Sequence, residues 1–236
     1  MKVLILILSC VQHELNGFNQ TMRDTWLHDA EFFGLDYRFF IGNGSPTGED
    51  ETLLLNTYAS RTFPDKALVD LDISTLPMWL DRVVILPVPD DYMHVSYKFR
   101  EACRWALDEG YDYIFQAITD TFAVPSRLLA SGFEQHDYVG TANAERTAIG
   151  GGPGFWLSSK AMKFLVDAPV THWASDGWVG DVMARSEIKL TPDPRYTSLG
   201  QADPPMKGNN VITSHIANTP NVYDPAIMYE LYRGMR

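Results

Sequence analysis

Cysteine is scarce. Cys10 and Cys103 are the only two in 236 residues, too few and too far apart for a disulfide framework or a four-ligand zinc site, and they fit a reducing compartment. Positive charge is short as well. Nineteen Lys and Arg stand against thirty Asp and Glu, a net charge of -11, which disfavours generic DNA binding while leaving room for a local basic patch. The one candidate targeting segment, the opening MKVLILILSC, falls well below the roughly 20 apolar residues of a membrane span. No small-residue cleavage pattern follows Ser9-Cys10, so the segment reads as a buried strand. No Gly-x-Gly-x-x-Gly follows that strand and no Gly-Lys-Ser/Thr occurs anywhere, which removes the main support for dinucleotide and P-loop sites.

What remains is a chain that is 45% apolar and 21% charged, able to bury a substantial core, with no repeat or linker to divide it. Val3 to Leu8 is a continuous apolar run, the pattern of a strand covered on both faces in a parallel sheet. Phe18, Met22, Trp26 and Ala30 recur every fourth residue and predict one helical face. A strand at Tyr37 to Ile41 is closed by Gly42-Asn43-Gly44-Ser45-Pro46, a helix is expected over Glu49 to Ala59, and 60–80 reads as irregular. Further strands are expected at Val83 to Leu86 and Tyr113 to Ala117. Between them, Val95 to Glu109 reads as a helix closed by Gly110. In the second half, helices are expected at Pro125 to Ala130, Ser159 to Val166, Trp178 to Ser186 and Pro225 to Arg233, with strands near Tyr138 and Val211.

Alternating strands and helices in the first half predict a parallel α/β sheet, whose ligand crevice lies beyond the carboxyl ends of its strands. The segments after Leu8, Ile41 and Ala117 are therefore the places to look, and Ser9 heads the first. The third reads Ile118-Thr119-Asp120, an acid just past a buried strand. There it can hold a hard divalent cation that bridges a diphosphate, or cap the helix near Pro125; position alone favours neither.

Several blocks together carry a resemblance. Asn19-x-x-Met22-Arg23-x-Thr25-Trp26 resembles the Arg-x-x-Ile-Arg-x-Thr-Trp signature of the galactosyltransferase and fringe-type glycosyltransferases, with Asn in place of the first Arg. Phe39-Phe40-Ile41-Gly42 looks like that family's Phe-Leu-x-Gly strand end. Asp90-Asp91-Tyr92-Met93-His94-Val95-Ser96-Tyr97-Lys98 is similar to its Asp-Ser-Tyr-x-Asn-Leu-Thr-x-Lys. Gly152-Pro153-Gly154-Phe155-Trp156-Leu157-Ser158 resembles Gly-x-Gly-Tyr-x-x-Ser, and Ser175-Asp176-Gly177-Trp178-Val179-Gly180 resembles Glu-Asp-Val-x-x-Gly. His215 falls where the family has a late histidine. The blocks stand in family order.

The resemblance implies a single-domain GT-A-like α/β fold. A Rossmann-like nucleotide-sugar-binding half, about residues 1–120, is joined to an acceptor and catalytic half, about 121–236. It implies inverting transfer from a nucleotide-diphosphate donor, a UDP-sugar, to a hydroxyl of a glycan or glycolipid. Asp120 and His215 match the protein ligands of Mn2+ or Mg2+. The family's Asp-x-Asp is reduced here to Ile118-Thr119-Asp120, so a metal-independent site stays open. Asp176 matches the catalytic base, with a helix N-cap as its other reading. Arg23 and Lys98 are cations placed for donor phosphates or for structural ion pairs. Gly150 to Gly154 would let the backbone approach a sugar closely or simply turn the chain, with Gly152 and Gly154 at the donor. Trp156, Trp173 and Trp178 would stack on a sugar or fill the core. The family's membrane-anchored members begin with a tail, span and stem that this sequence lacks, which points to a viral or bacterial relative in the cytoplasm. Two rivals remain: a phage-type enzyme that glycosylates a hydroxymethylated base in DNA, and a non-catalytic nucleotide-sugar or carbohydrate-binding protein.

Overall fold

The structure, a computed structural model, describes residues 1–43, 82–142, 150–198, 210–216 and 224–236. The helix expected at 49–59 and the irregular stretch at 60–80 lie outside these residues. Four strands, β1 (Val3–Leu8), β2 (Asp36–Gly42), β3 (Val83–Leu86) and β4 (Tyr113–Ile118), run parallel in the order β3-β2-β1-β4. Beyond β4 the sheet continues through β7 (Phe155–Ser158), β6 (Tyr138–Gly140) and β8 (Thr191–Pro192), with β7 antiparallel to both its neighbours. A separate small sheet joins β5 (Thr121–Ala123), β10 (Thr213–His215) and β9 (Tyr196–Ser198) in the order β5-β10-β9.

The apolar run of β1 is buried on both faces because each face has its own core. Leu4, Leu6 and Leu8 pack with Phe99, Phe155 and Trp178 on one side, and Ile5 and Ile7 pack with Trp26, Phe115 and Trp156 on the other. The first core is covered by α4 (Val95–Asp108), α6 (Ser159–Asp167) and α7 (Ser175–Ala184). The second is covered by α2 (Phe18–Asp24), α3 (Trp26–Phe32), α5 (Pro125–Leu129) and α8 (Pro225–Met235), while α1 (Val11–Leu15) sits directly after β1. Among the described residues no helix is long and apolar enough to cross a membrane.

Two expectations need correction. The face drawn through Phe18, Met22, Trp26 and Ala30 belongs to two helices, α2 and α3, broken at Thr25, whose backbone leaves the helical region at φ -117, ψ -118. The Thr25 hydroxyl donates back to the Thr21 carbonyl at 2.7 Å, a local bond that competes with helix continuation. The helix expected from Trp178 starts at Ser175 instead, with Ala174 as its N-cap, so Asp176 lies inside the first turn and is not the cap.

One buried group is out of balance with its surroundings. Gln116, on β4, has no solvent exposure, and neither its amide oxygen nor its amide nitrogen meets a hydrogen-bond partner among the described residues. An unsatisfied buried amide destabilises by about 1–3 kcal/mol. Gln116→Leu is therefore expected to raise the unfolding free energy by about 1 kcal/mol or more in urea titration. A loss of stability would mean that the amide is partnered in solution.

Candidate active site

The carboxyl ends of β1, β2 and β3 are drawn together by one carboxylate. Asp90 accepts from the backbone N–H of Val11 (2.6 Å) and of Gly42 (2.7 Å) and from Lys98 Nζ (2.6 Å). Lys98 Nζ also donates to the Ser9 carbonyl at 2.7 Å. The knot thus joins the segments after β1, β2 and β3 to the first turns of α4. Gly42 is obligatory beside it, because a Cβ there would lie 2.4 Å from the Val88 carbonyl oxygen.

A second buried chain of polar groups runs behind the end of β1. The Ser9 hydroxyl donates to Asn19 Oδ1 (2.8 Å), Asn19 Nδ2 donates to Glu14 Oε2 (2.6 Å), and Arg23 grips Glu14 through both terminal nitrogens at 2.8 and 3.1 Å. This two-point grip on a nearly buried carboxylate is the geometry in which guanidinium pairs are strongest. Arg23 also lies over the ring of Phe39, 4.6 Å from its centroid. Arg23 and Lys98 are thus each already engaged by a carboxylate.

At the end of β4 the chain turns through Thr119 and Asp120 into β5. Asp120 does not cap the helix that starts at Pro125; Val124 occupies that position. Its carboxylate instead faces His215, with Oδ2 and Nε2 3.1 Å apart although the residues are 95 positions apart in sequence. The pairing of β5 with β10 sets Thr121 opposite His215 and so delivers the imidazole to the turn. Thr119 Oγ1 lies 3.0 Å from His13 Nδ1 of α1.

The glycine segment 150–154 ties this pair to Asp176. The Gly152 carbonyl accepts from the Thr121 hydroxyl at 2.8 Å, and the Pro153 carbonyl accepts from the Thr213 hydroxyl at 2.6 Å. Gly151 N donates to Asp176 Oδ2 at 3.1 Å, while Asp176 Oδ1 accepts from Gly177 N at 2.8 Å. A Cβ at Gly152 would lie 2.4 Å from His215 Cγ, and one at Gly154, whose φ is +79, would lie 2.4 Å from Phe115 Cζ. The space these glycines leave is thus filled by the protein's own rings. The two carboxylates and the histidine meet around one backbone segment.

Asp120 and His215 also suit a shared divalent ion. Donors about 2.1 Å from a metal at adjacent octahedral positions lie about 3 Å apart, close to the observed spacing. Among the described residues no cluster of three or more metal-ligating side chains occurs, so the protein donors offered to such an ion are this pair. Of the three tryptophans, Trp156 and Trp178 have no solvent exposure. Their indole N–H groups donate to the Tyr196 hydroxyl and the Pro169 carbonyl, which makes both of them core residues. Trp173 is half-buried at the surface.

Sequence reasoning named Asp90 only as a motif position and Gly151 only as part of the Gly150 to Gly154 segment. The acid two residues before an exposed tyrosine and eight before a lysine is the signal that marks Asp90 after the fact. Gly151 acts through its backbone N–H and leaves no signal in its side chain.

No protein-family model and no curated protein matches the sequence. Among solved structures, the chain is similar to a protein described as a glycosyltransferase involved in the glycosylation of the major capsid of PBCV-1, at a TM-score of 0.53 and 10% identity, over 99% of this chain and 100% of that one. It is also similar to a putative nucleotide-diphospho-sugar transferase from Desulfovibrio desulfuricans G20, at a TM-score of 0.41 and 15% identity, over 81% of this chain and 80% of that one. The first likeness spans both chains from end to end, and the expected GT-A-like α/β fold is the fold observed.

Proposed function

We propose that this protein is an inverting glycosyltransferase that moves a sugar from a nucleotide-diphosphate donor, UDP-linked, to a hydroxyl group of a glycan or glycolipid. The observation that carries the reading is the meeting of Asp120 and His215 beyond the carboxyl end of β4, with Asp176 bound to the same glycine segment. The full-length likeness to a glycosyltransferase involved in the glycosylation of the major capsid of PBCV-1 supports it.

In this reading the donor lies across the ends of β1 and β4. Ser9, Arg23 and Lys98 frame the crevice, and Gly152 and Gly154 form its floor under His215. Asp120 and His215 would hold Mn2+ or Mg2+, which when bound neutralises charge on the diphosphate. Asp176 receives the proton of the acceptor hydroxyl as that oxygen bonds to the anomeric carbon. The bond from that carbon to the diphosphate oxygen breaks, and the diphosphate leaves with the electron pair. The Asp176 carboxylate has the capacity for this: two backbone N–H groups occupy two of its roughly four acceptor sites.

Calorimetry on Asp120→Ala tests the donor site. UDP binding in the presence of Mn2+ is expected to weaken by about tenfold or more, with folding almost unchanged, because a crevice carboxylate adds little to the core. Unchanged binding of UDP and Mn2+ would remove Asp120 from the site. Binding of UDP-sugar with neither hydrolysis nor transfer by the unmodified protein would favour the non-catalytic reading.

A further inference from the structure

Beside the Asp120, His215 and Asp176 group stands an aromatic pair that the donor reading leaves unused. Tyr92 is 62% exposed, and its ring centroid lies 4.9 Å from that of Trp173 with the planes tilted by 48°. Trp173 comes three residues before Asp176, at the entry to α7. Its ring stacks on His172 at 6.0 Å and 24°, and its carbonyl accepts from the Ser96 hydroxyl of α4 at 2.8 Å.

Both rings sit on backbone that is fixed independently. His172 Nδ1 accepts from Ala174 N at 3.0 Å, and a Cβ at Gly177 would lie only 3.0 Å from the His172 ring. On the other side, Asp91 accepts from His94 N at 2.9 Å and faces His94 Nδ1 at 2.7 Å, which sets the turn that presents Tyr92. Partial desolvation of its hydroxyl, followed by the negative charges of Asp176 and Asp120, raises the Tyr92 pKa. The pair thus shares its electrostatic surroundings with the carboxylates of the candidate site.

Rigid aromatic faces rimmed by carboxylates suit one class of ligand. A pyranose lays its C–H face on a ring, its hydroxyls donate to carboxylates, and it brings no charge of its own. A DNA strand would bring a phosphate for every nucleotide toward Asp91, Asp120 and Asp176. We infer that Tyr92 and Trp173 form the acceptor platform and that the acceptor presents a neutral pyranose ring, stacked so that one hydroxyl points at Asp176. This rests on the glycosyltransferase reading for the word acceptor, but not for the binding itself.

Tryptophan fluorescence of the full chain, titrated with methyl β-D-galactopyranoside, methyl β-D-glucopyranoside and an oligonucleotide carrying 5-hydroxymethylcytosine, tests it. At least one hexoside is expected to bind. Its Kd should rise about tenfold in Tyr92→Ala, and it should stay within threefold in Phe32→Ala, which removes an exposed ring elsewhere. Three outcomes would overturn the platform: no hexoside binding, preferential binding of the oligonucleotide, or a Kd in Tyr92→Ala within twofold of the unmodified protein. UDP-sugar consumption measured on the same samples keeps the two readings apart. Its absence, with hexoside binding intact, sinks the enzyme and leaves a carbohydrate site.

Discussion

Asp176→Asn is expected to slow UDP-sugar consumption, by transfer or by hydrolysis, by a factor of about 10² to 10⁴. The amide cannot take the proton of an attacking hydroxyl or water. The structure also says what else the change does. Asp176 accepts from Gly177 N through one oxygen and from Gly151 N through the other. Asn keeps one acceptor and turns an NH2 toward the second N–H, so a stability loss of about 1 kcal/mol accompanies the rate effect. That loss is too small to unfold a domain of this size, and a thermal melt beside the rate measurement separates the two. A rate within a few-fold of the unmodified protein would move the base to another carboxylate, with Asp181, exposed on the same helix, the first to test.

Lys98→Met is expected to produce a larger stability change than any other variant named above. Lys98 is 3% exposed and its partner Asp90 15% exposed in their side chains. Removing one member of such a pair leaves the other charge uncompensated, at about 3–5 kcal/mol. The Val11 and Gly42 N–H groups still solvate Asp90, which places the expected loss near the lower end. Urea unfolding measures it, and a loss under about 1 kcal/mol would show that the ammonium does not hold the knot. UDP affinity measured on the folded fraction then reveals whether Lys98 also serves the donor.

The legible parts of the fold were those written in continuous stretches. Val3 to Leu8 and Val83 to Leu86 have the bounds the apolar runs predict, although only the first is buried on both faces and the second is a partly exposed edge strand. The helix closed by Gly110, whose φ is +76, was equally plain. The break at Thr25 was hidden because α2 and α3 bury the same stripe, Met22, Trp26 and Ala30, so the period continues across a backbone that does not. The small sheet was legible only in the strand expected near Val211, which is β10; strands of three residues carry no period at all, and β5 has no sequence mark apart from its three buried residues. The order of the blocks anticipated that Asp120 and His215 meet, and they do. It did not anticipate that Gly152 is small for the sake of His215, since a glycine motif records that space is needed and not what fills it.

The distance in sequence between Asp120 and His215 also sets an order of events during synthesis. All of β1, β2, β3 and β4 precede residue 119, so the parallel ladder can close while His215 is still unmade. At a ribosomal pace of about 5–20 residues per second, the 95 positions between the two residues take roughly 5 to 20 s. In that interval β5 waits without its partner, and at three residues it is too short an edge to recruit a wrong strand. Assembly of the Asp120 and His215 pair therefore follows that ladder, and a nascent chain has its four parallel strands well before it has a finished grip on any ligand there.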